Sequence, residues 1–143
     1  MLNNDIDAKD WIVLIVDDDP DNLSVAEKVL TFYGAKVHTA VDGRKGLEIL
    51  KQLVKPTLIL LDLSMPDMDG WEMMAALQKM PEKSTLPVIA VTAHAMPKDK
   101  ERALSAGFDG YIIKPFMLHT FMDEIAKCLK RTEKMKMGEL QGD

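Results

Sequence analysis

The chain has 143 residues, 47% hydrophobic and 29% charged, with a formal charge of −5 and a single cysteine. That length and apolar content suffice for one sizeable core without disulfide or metal staples and leave no room for a second folded domain. Cys128 alone cannot close an internal disulfide, which points to a reducing, cytoplasmic compartment. No apolar run reaches the about 18 residues of a membrane span, and Met1-Leu2-Asn3-Asn4-Asp5 has neither the basic nor the apolar region of an export signal, so membrane insertion and export are not expected. The net acidity and the lack of a basic patch argue against nucleic acid as a direct partner.

Short apolar runs alternate with amphipathic segments of helical length. Val13 to Val16 reads as a first strand. Asp19 caps the helix that follows, with Pro20 at its first position, apolar residues at Leu23, Ala26, Val29, Leu30 and Tyr33, and Gly34 as its stop. Lys36 to Ala40 is a second strand, and Leu47, Leu50 and Leu53 mark a helix closed by Lys55-Pro56. Leu58 to Leu61 is a third strand, followed by a helix carrying Trp71, Met74, Leu77 and Met80 and ended by Pro81. Val88 to Val91 is the fourth strand, with a helix from Pro97 stopped at Gly107; Asp109 to Ile113 is the fifth, with a last helix from Phe116 to Leu129. Five such repeats of strand and helix predict an α/β fold of (βα)5 type, a doubly wound five-stranded parallel sheet with helices on both faces. Residues 1–10 read as an N-terminal tail, 11–131 as the domain and 132–143 as a C-terminal tail into which the last helix extends by a turn or two.

Three of these strands end in chemistry. Asp17-Asp18-Asp19 follows the first, Asp62 the third and Lys114 the fifth, and in open parallel sheets ligands bind just beyond the strands' carboxyl ends. Carboxylates held close resist full ionisation unless a cation lies between them. Oxygen donors of this kind favour Mg²⁺, or Mn²⁺ in its place, sharing its shell with a phosphate. Lys114 suits a phosphoryl oxygen, Thr92 at the end of the fourth strand adds a hydroxyl donor, and an aspartate can itself be the nucleophile. The set reads as metal-assisted phosphoryl transfer to a carboxylate.

Val13–Asp18, Leu60-Leu61-Asp62-Leu63-Ser64-Met65-Pro66-Asp67-Met68-Asp69-Gly70, Val91-Thr92-Ala93 and Tyr111-Ile112-Ile113-Lys114-Pro115-Phe116 together resemble the receiver domain of two-component response regulators, over residues 11–131. The resemblance implies a flavodoxin-like receiver fold and a phosphorylation-dependent signalling switch rather than an enzyme acting on an external substrate. Asp62 would take a phosphoryl group from the phosphohistidine of a sensor histidine kinase or histidine phosphotransfer protein. Asp17, Asp18, Asp62 and the backbone carbonyl of Ser64 would hold the metal. Thr92, the Ala93 amide and Lys114 would bind the phosphoryl oxygens, Thr92 and Tyr111 would act as the switch, and Ser64 and His94 would tune phosphoryl lifetime. In the family the Lys114-Pro115 bond is cis. The run Thr92-Ala93-His94-Ala95-Met96 resembles receivers of phosphorelays and hybrid kinases more than those fused to DNA-binding domains.

Output is expected through protein contacts on the face formed by the fourth helix, fifth strand and fifth helix, where Lys98, Lys100, Arg102, Met117, His119 and Met122 mix charge with apolar surface. A monomer or a weak phosphorylation-dependent dimer is expected. Other residues carry structural readings: Asp19 a helix cap, Asp67 and Asp69 turn formers, Met73, Met74, Met80 and Met96 gap-fillers, His38 and His119 solvated side chains. Three alternatives stand beside the main reading. A receiver cut from a hybrid histidine kinase or longer regulator has the same site. A haloacid-dehalogenase-type phosphatase needs a second aspartate where Ser64 stands, and a flavodoxin-like nucleotide binder needs a phosphate loop where three aspartates stand.

Overall fold

A computed structural model describes residues 6–52, 56–65, 68–80, 85–93, 96–115 and 117–141. His94, Asp67, the expected helix stops at Lys55 and Pro81, the start of the last helix at Phe116 and the side chain of His119 lie outside the described residues. Strands β1 (Ile12–Val16), β2 (Lys36–Ala40), β3 (Leu58–Asp62), β4 (Val88–Thr92) and β5 (Gly110–Ile113) alternate with helices α1 (Pro20–Phe32), α2 (Gly43–Gln52), α3 (Gly70–Gln78), α4 (Pro97–Ser105) and α5 (Leu118–Gln141). All strand pairs are parallel, in the order β2-β1-β3-β4-β5, so the direction of winding reverses between β1 and β3. In doubly wound sheets such a reversal is where ligands bind, beyond the strands' carboxyl ends.

The two faces of the sheet carry two cores. Val13, Ile15, Leu58, Leu60 and Ile89 meet α1 and α5 through Leu23, Ala26, Leu30, Phe121, Ile125 and Cys128. The alternate residues Leu14, Val16, Ile59, Leu61 and Ala90 meet α2, α3 and α4 through Leu50, Met73, Met74, Leu77 and Ala103. Every residue of β3 and β4 is buried, which is why these strands read as unbroken aliphatic runs. Local chemistry fixes the helix ends. Asp19 caps α1 by accepting from the Asp21 amide with Pro20 in the first turn, Asp69 and Glu72 form a reciprocal capping box on α3, and Gly34 and Gly107, both at φ 102°, release the chain after α1 and α4. Among the described residues no helix is long and apolar enough to cross a membrane.

Both ends differ from the expected tails. Ala8 is fully buried and its amide donates to the Tyr33 carbonyl at 3.0 Å, while Ile6 and Trp11 pack on the core beside it. A short polar segment with isolated apolar residues carries no periodicity, yet here it closes the amino-terminal end of the sheet. At the other end, residues 132–141 continue α5 instead of leaving it. Strong helix formers run through that stretch with Thr132 and Gly138 as its weak positions, so the backbone has no strong signal to stop.

Candidate functional site

Strand register assembles the site. Val16 lies opposite Leu61, so the next residues, Asp17 and Asp62, stand side by side at the strand ends, each only 3% exposed. Asp18 follows on the exposed side. One carboxylate oxygen from each of the three lies within 4.8 Å of the others. Asp17 is fixed from both directions, its amide donating to the Ala40 carbonyl at 3.1 Å and its Oδ1 accepting from the Asp19 amide at 2.9 Å. Asp62 Oδ1 accepts from the Ser64 amide at 3.2 Å. On the far side Thr92 pairs with Ile113, and the Lys114 amide donates to the Thr92 carbonyl at 2.8 Å. The Lys114-Pro115 bond is cis, and Nζ of Lys114 lies 2.9 Å from Asp17 Oδ2 and 3.4 Å from Asp62 Oδ2.

Burial and the neighbouring charge of Asp17 raise the Asp62 carboxyl from 3.8 to about 7, against the opposing effects of Lys114 and the Ser64 amide. Burial alone would lower the Lys114 ammonium, but its hydrogen bond to Asp17 and the charge of Asp62 outweigh it and hold the group above its ordinary value. The cluster therefore carries more negative charge than one lysine neutralises. An all-oxygen donor set with surplus negative charge at the strand ends fits a hard divalent cation of the Mg²⁺ class.

The structure brings Asp17, Asp18, Asp62 and Lys114 together as their strand-end positions imply. Thr92 is buried at the end of β4, whereas Ala93 and Ser64 are exposed beside the mouth. Tyr111 is half-buried in β5, opposite Ala90, and burial together with the Asp99 carboxylate raises its phenol above the ordinary value. Asp19 caps α1, Met73 and Met74 are core, and His38 is exposed, in keeping with their structural readings, whereas Asp69, expected as a turn former, is the N-cap of α3. Gly70 has a part that sequence reasoning did not assign. A Cβ there would come within 2.3 Å of the Asp62 carbonyl oxygen and 2.8 Å of Leu63 Cα, so only glycine lets α3 start against the backbone of the acidic strand end.

This sheet order with an acidic cluster at its switch point defines a class, and the comparisons agree. A family profile described as "Response regulator receiver domain" matches residues 13–126. The chain belongs to the response regulator receiver family. It is 39% identical over 103 residues to an uncharacterised 14.6 kDa protein of Leptolyngbya boryana, covering 72% of this chain and 78% of that one. It is 34% identical over 139 residues to the transcriptional regulatory protein PrrA of Mycobacterium leprae, covering 92% of this chain and 58% of PrrA. With the signal transduction histidine-protein kinase BarA of Escherichia coli K12 it shares 41% identity over 103 residues, 72% of this chain but 11% of the kinase. The chain thus spans little more than half of PrrA and a small part of BarA.

Among solved structures, a CheY-like response regulator receiver domain protein from Methanospirillum hungatei superposes with a TM-score of 0.77 at 31% identity, covering 87% of this chain and 98% of that one. A putative response regulator from Chloroflexus aurantiacus gives 0.79 at 28% identity, covering 84% and 98%. Receiver domains are signalling switches that accept a phosphoryl group, bind Mg²⁺ at an acidic pocket and interact with histidine kinases or phosphotransfer proteins.

Proposed function

We propose that this chain is a phosphorylation-driven switch in which Asp62 accepts a phosphoryl group from a phosphohistidine of a sensor histidine kinase or histidine phosphotransfer protein. The observation that carries this reading is the meeting of Asp17, Asp18 and Asp62 within 4.8 Å, with Lys114 bridging two of them. Asp62 supplies the nucleophilic oxygen; its new bond to phosphorus forms as the phosphorus–nitrogen bond to the donor imidazole breaks. A carboxyl raised to about 7 is partly protonated at neutral pH and is then a poor nucleophile. Asp17, Asp18, Asp62 and the Ser64 carbonyl would hold Mg²⁺ or Mn²⁺, which when bound neutralises their repulsion and the charge of the incoming phosphoryl group.

In this reading Lys114 turns from the carboxylates toward the phosphoryl oxygens, and Thr92 and the Ala93 amide donate to the same group. Ser64 and His94 set how long the adduct survives. Thr92 and Tyr111 pass the state outward to the face of α4, β5 and α5. Met96, Leu104, Ile113 and Met117 are 62%, 49%, 47% and 66% exposed there, apolar area that favours a protein partner or a weak dimer, whereas Met122, expected on this face, is buried in the core. Intact mass of the protein treated with acetyl phosphate and Mg²⁺ tests the proposal. One phosphoryl adduct is expected, lost in Asp62→Ala and with EDTA; full labelling of Asp62→Ala would refute it.

A further inference from the structure

Thr92 and Tyr111 are not the sole elements placed to read the state of Asp62. Gly70 is seated against the Asp62 carbonyl with no room even for a methyl group, and its amide donates to the Leu63 carbonyl at 3.3 Å. The capping box of Asp69 and Glu72, with hydrogen bonds of 2.9 and 3.2 Å, ties the first turn of α3 into one rigid piece with that contact. Trp71 is the next residue along. Its indole meets Phe108 edge-on, with ring centroids 5.7 Å apart, and the guanidinium of Arg102 lies 4.1 Å above the ring. Arg102 belongs to the last turn of α4 and Phe108 to the link between α4 and β5.

The helix at the receiving end is lightly held. Ala103 is the single buried residue of α4, whereas α3 buries Gly70, Met73, Met74 and Leu77. An element with so little buried surface is where a single side-chain contact can set position. We propose that Trp71 and Arg102 form a second line from the Asp62 site to α4: the α3 start follows the Asp62 backbone, and the indole–guanidinium stack holds α4 in its unphosphorylated place. This inference rests on Asp62 being the phosphoacceptor. A cation over an indole at a partly exposed site shifts a two-state balance by about two- to fivefold, enough to bias a lightly held helix without locking it.

Amide and indole NMR spectra before and after Mg²⁺ plus beryllofluoride test the proposal. Trp11→Phe leaves Trp71 as the sole indole signal, because Trp11 and Trp71 are the two tryptophans of the chain. The Trp71 Nε1–H signal is expected to move on loading. In Arg102→Gln the amides of residues 98–105 should begin part of the way toward their loaded positions, and Arg102→Lys, which keeps the cation, should fall between. Asp62 should still be labelled by acetyl phosphate in both, since Arg102 touches none of the site carboxylates, and by reciprocity beryllofluoride should bind Arg102→Gln up to about two- to fivefold more tightly than the parent. A Trp71 indole that stays fixed in fully loaded protein, or α4 amides identical in Arg102→Gln and the parent in both states, would overturn the proposal alone. Absence of any Asp62 adduct in the parent would instead overturn the phosphoacceptor reading beneath it.

Discussion

Replacing Asp62 by asparagine should stabilise the metal-free protein, and the gain should depend on pH in a defined direction. The Asp62 carboxyl titrates near 7 in the folded chain against 3.8 for the group unperturbed. An acid with a raised folded value binds its proton more tightly when folded, so its contribution to stability is intact below about pH 4 and is lost as pH rises through 7. A difference of roughly 3 units corresponds to about 4 kcal/mol. Because asparagine forgoes the Lys114 contact and is itself buried there, about 2 kcal/mol is the expected net gain for Asp62→Asn at pH 8. In a chain of this size that is roughly 4–8 °C of melting temperature. The assay is thermal unfolding in EDTA at pH 4.5, 6 and 8, scored as variant minus parent, so that other titrating groups such as Asp109 cancel. The difference should grow from near zero to its full value across that window and shrink when Mg²⁺ is added, since the cation relieves the parent and not the variant. A difference independent of pH, or a variant less stable than the parent at pH 8, would refute the electrostatic account of the cluster.

Lys114→Met should bind Mg²⁺ about tenfold more tightly by calorimetry while accepting phosphoryl groups more slowly. The ammonium, 2.9 Å from Asp17, would compete for the carboxylates that would hold the cation, and a unit charge at this range is worth several kcal/mol even at an effective dielectric near 20. Weaker Mg²⁺ binding in this variant would contradict that competition. Gly70→Ala should lower stability by about 2 kcal/mol in chemical denaturation, because its Cβ would lie 2.3 Å from the Asp62 carbonyl oxygen; a neutral result would mean that α3 shifts freely. Cys128, fully buried with burial pushing its thiol up to about 11, should resist a thiol reagent at pH 8 until the protein unfolds. Prompt labelling of the native protein would show that α5 opens locally.

What could be read from the sequence was whatever has a local cause. The unbroken runs of β3 and β4 and the strand-end position of Asp17, Asp62 and Lys114 follow from burial on both faces, and the cap at Asp19 from its neighbour Pro20. Contacts that depend on register or on the approach of two helices have no spacing rule. That Lys114 lies nearer Asp17 than Asp62 depends on where β5 ends relative to β1, with β3 and β4 between them in the sheet. Arg102 stacks on Trp71 from a different helix, 31 positions along the chain, and nothing in either segment announces it. One alanine at position 8 among polar residues makes no pattern, although Tyr33 and Trp11 turn it into part of the core. The length of α5 is hidden for the opposite reason: its charged residues suit a solvated end and a helix equally well.

The distribution of burial explains how the fold tolerates its own site. Two like charges, Asp17 and Asp62, are 3% exposed at the ends of strands whose other residues are almost wholly apolar, a placement that would be untenable on a small or loosely packed element. Here the strands are clamped by helices on both faces, so the backbone cannot yield to the repulsion, and the strain appears instead as a raised Asp62 carboxyl and a lysine drawn inward. Lys114 thus does part of what a divalent cation at the same carboxylates would do. Any ligand that supplies more positive charge, or that gives the lysine a better anion, changes which of these arrangements is lower in free energy. The elements that can respond are those with least buried surface. In this chain that is α4, with only Ala103 buried, next to Tyr111 on one side and Trp71 on the other.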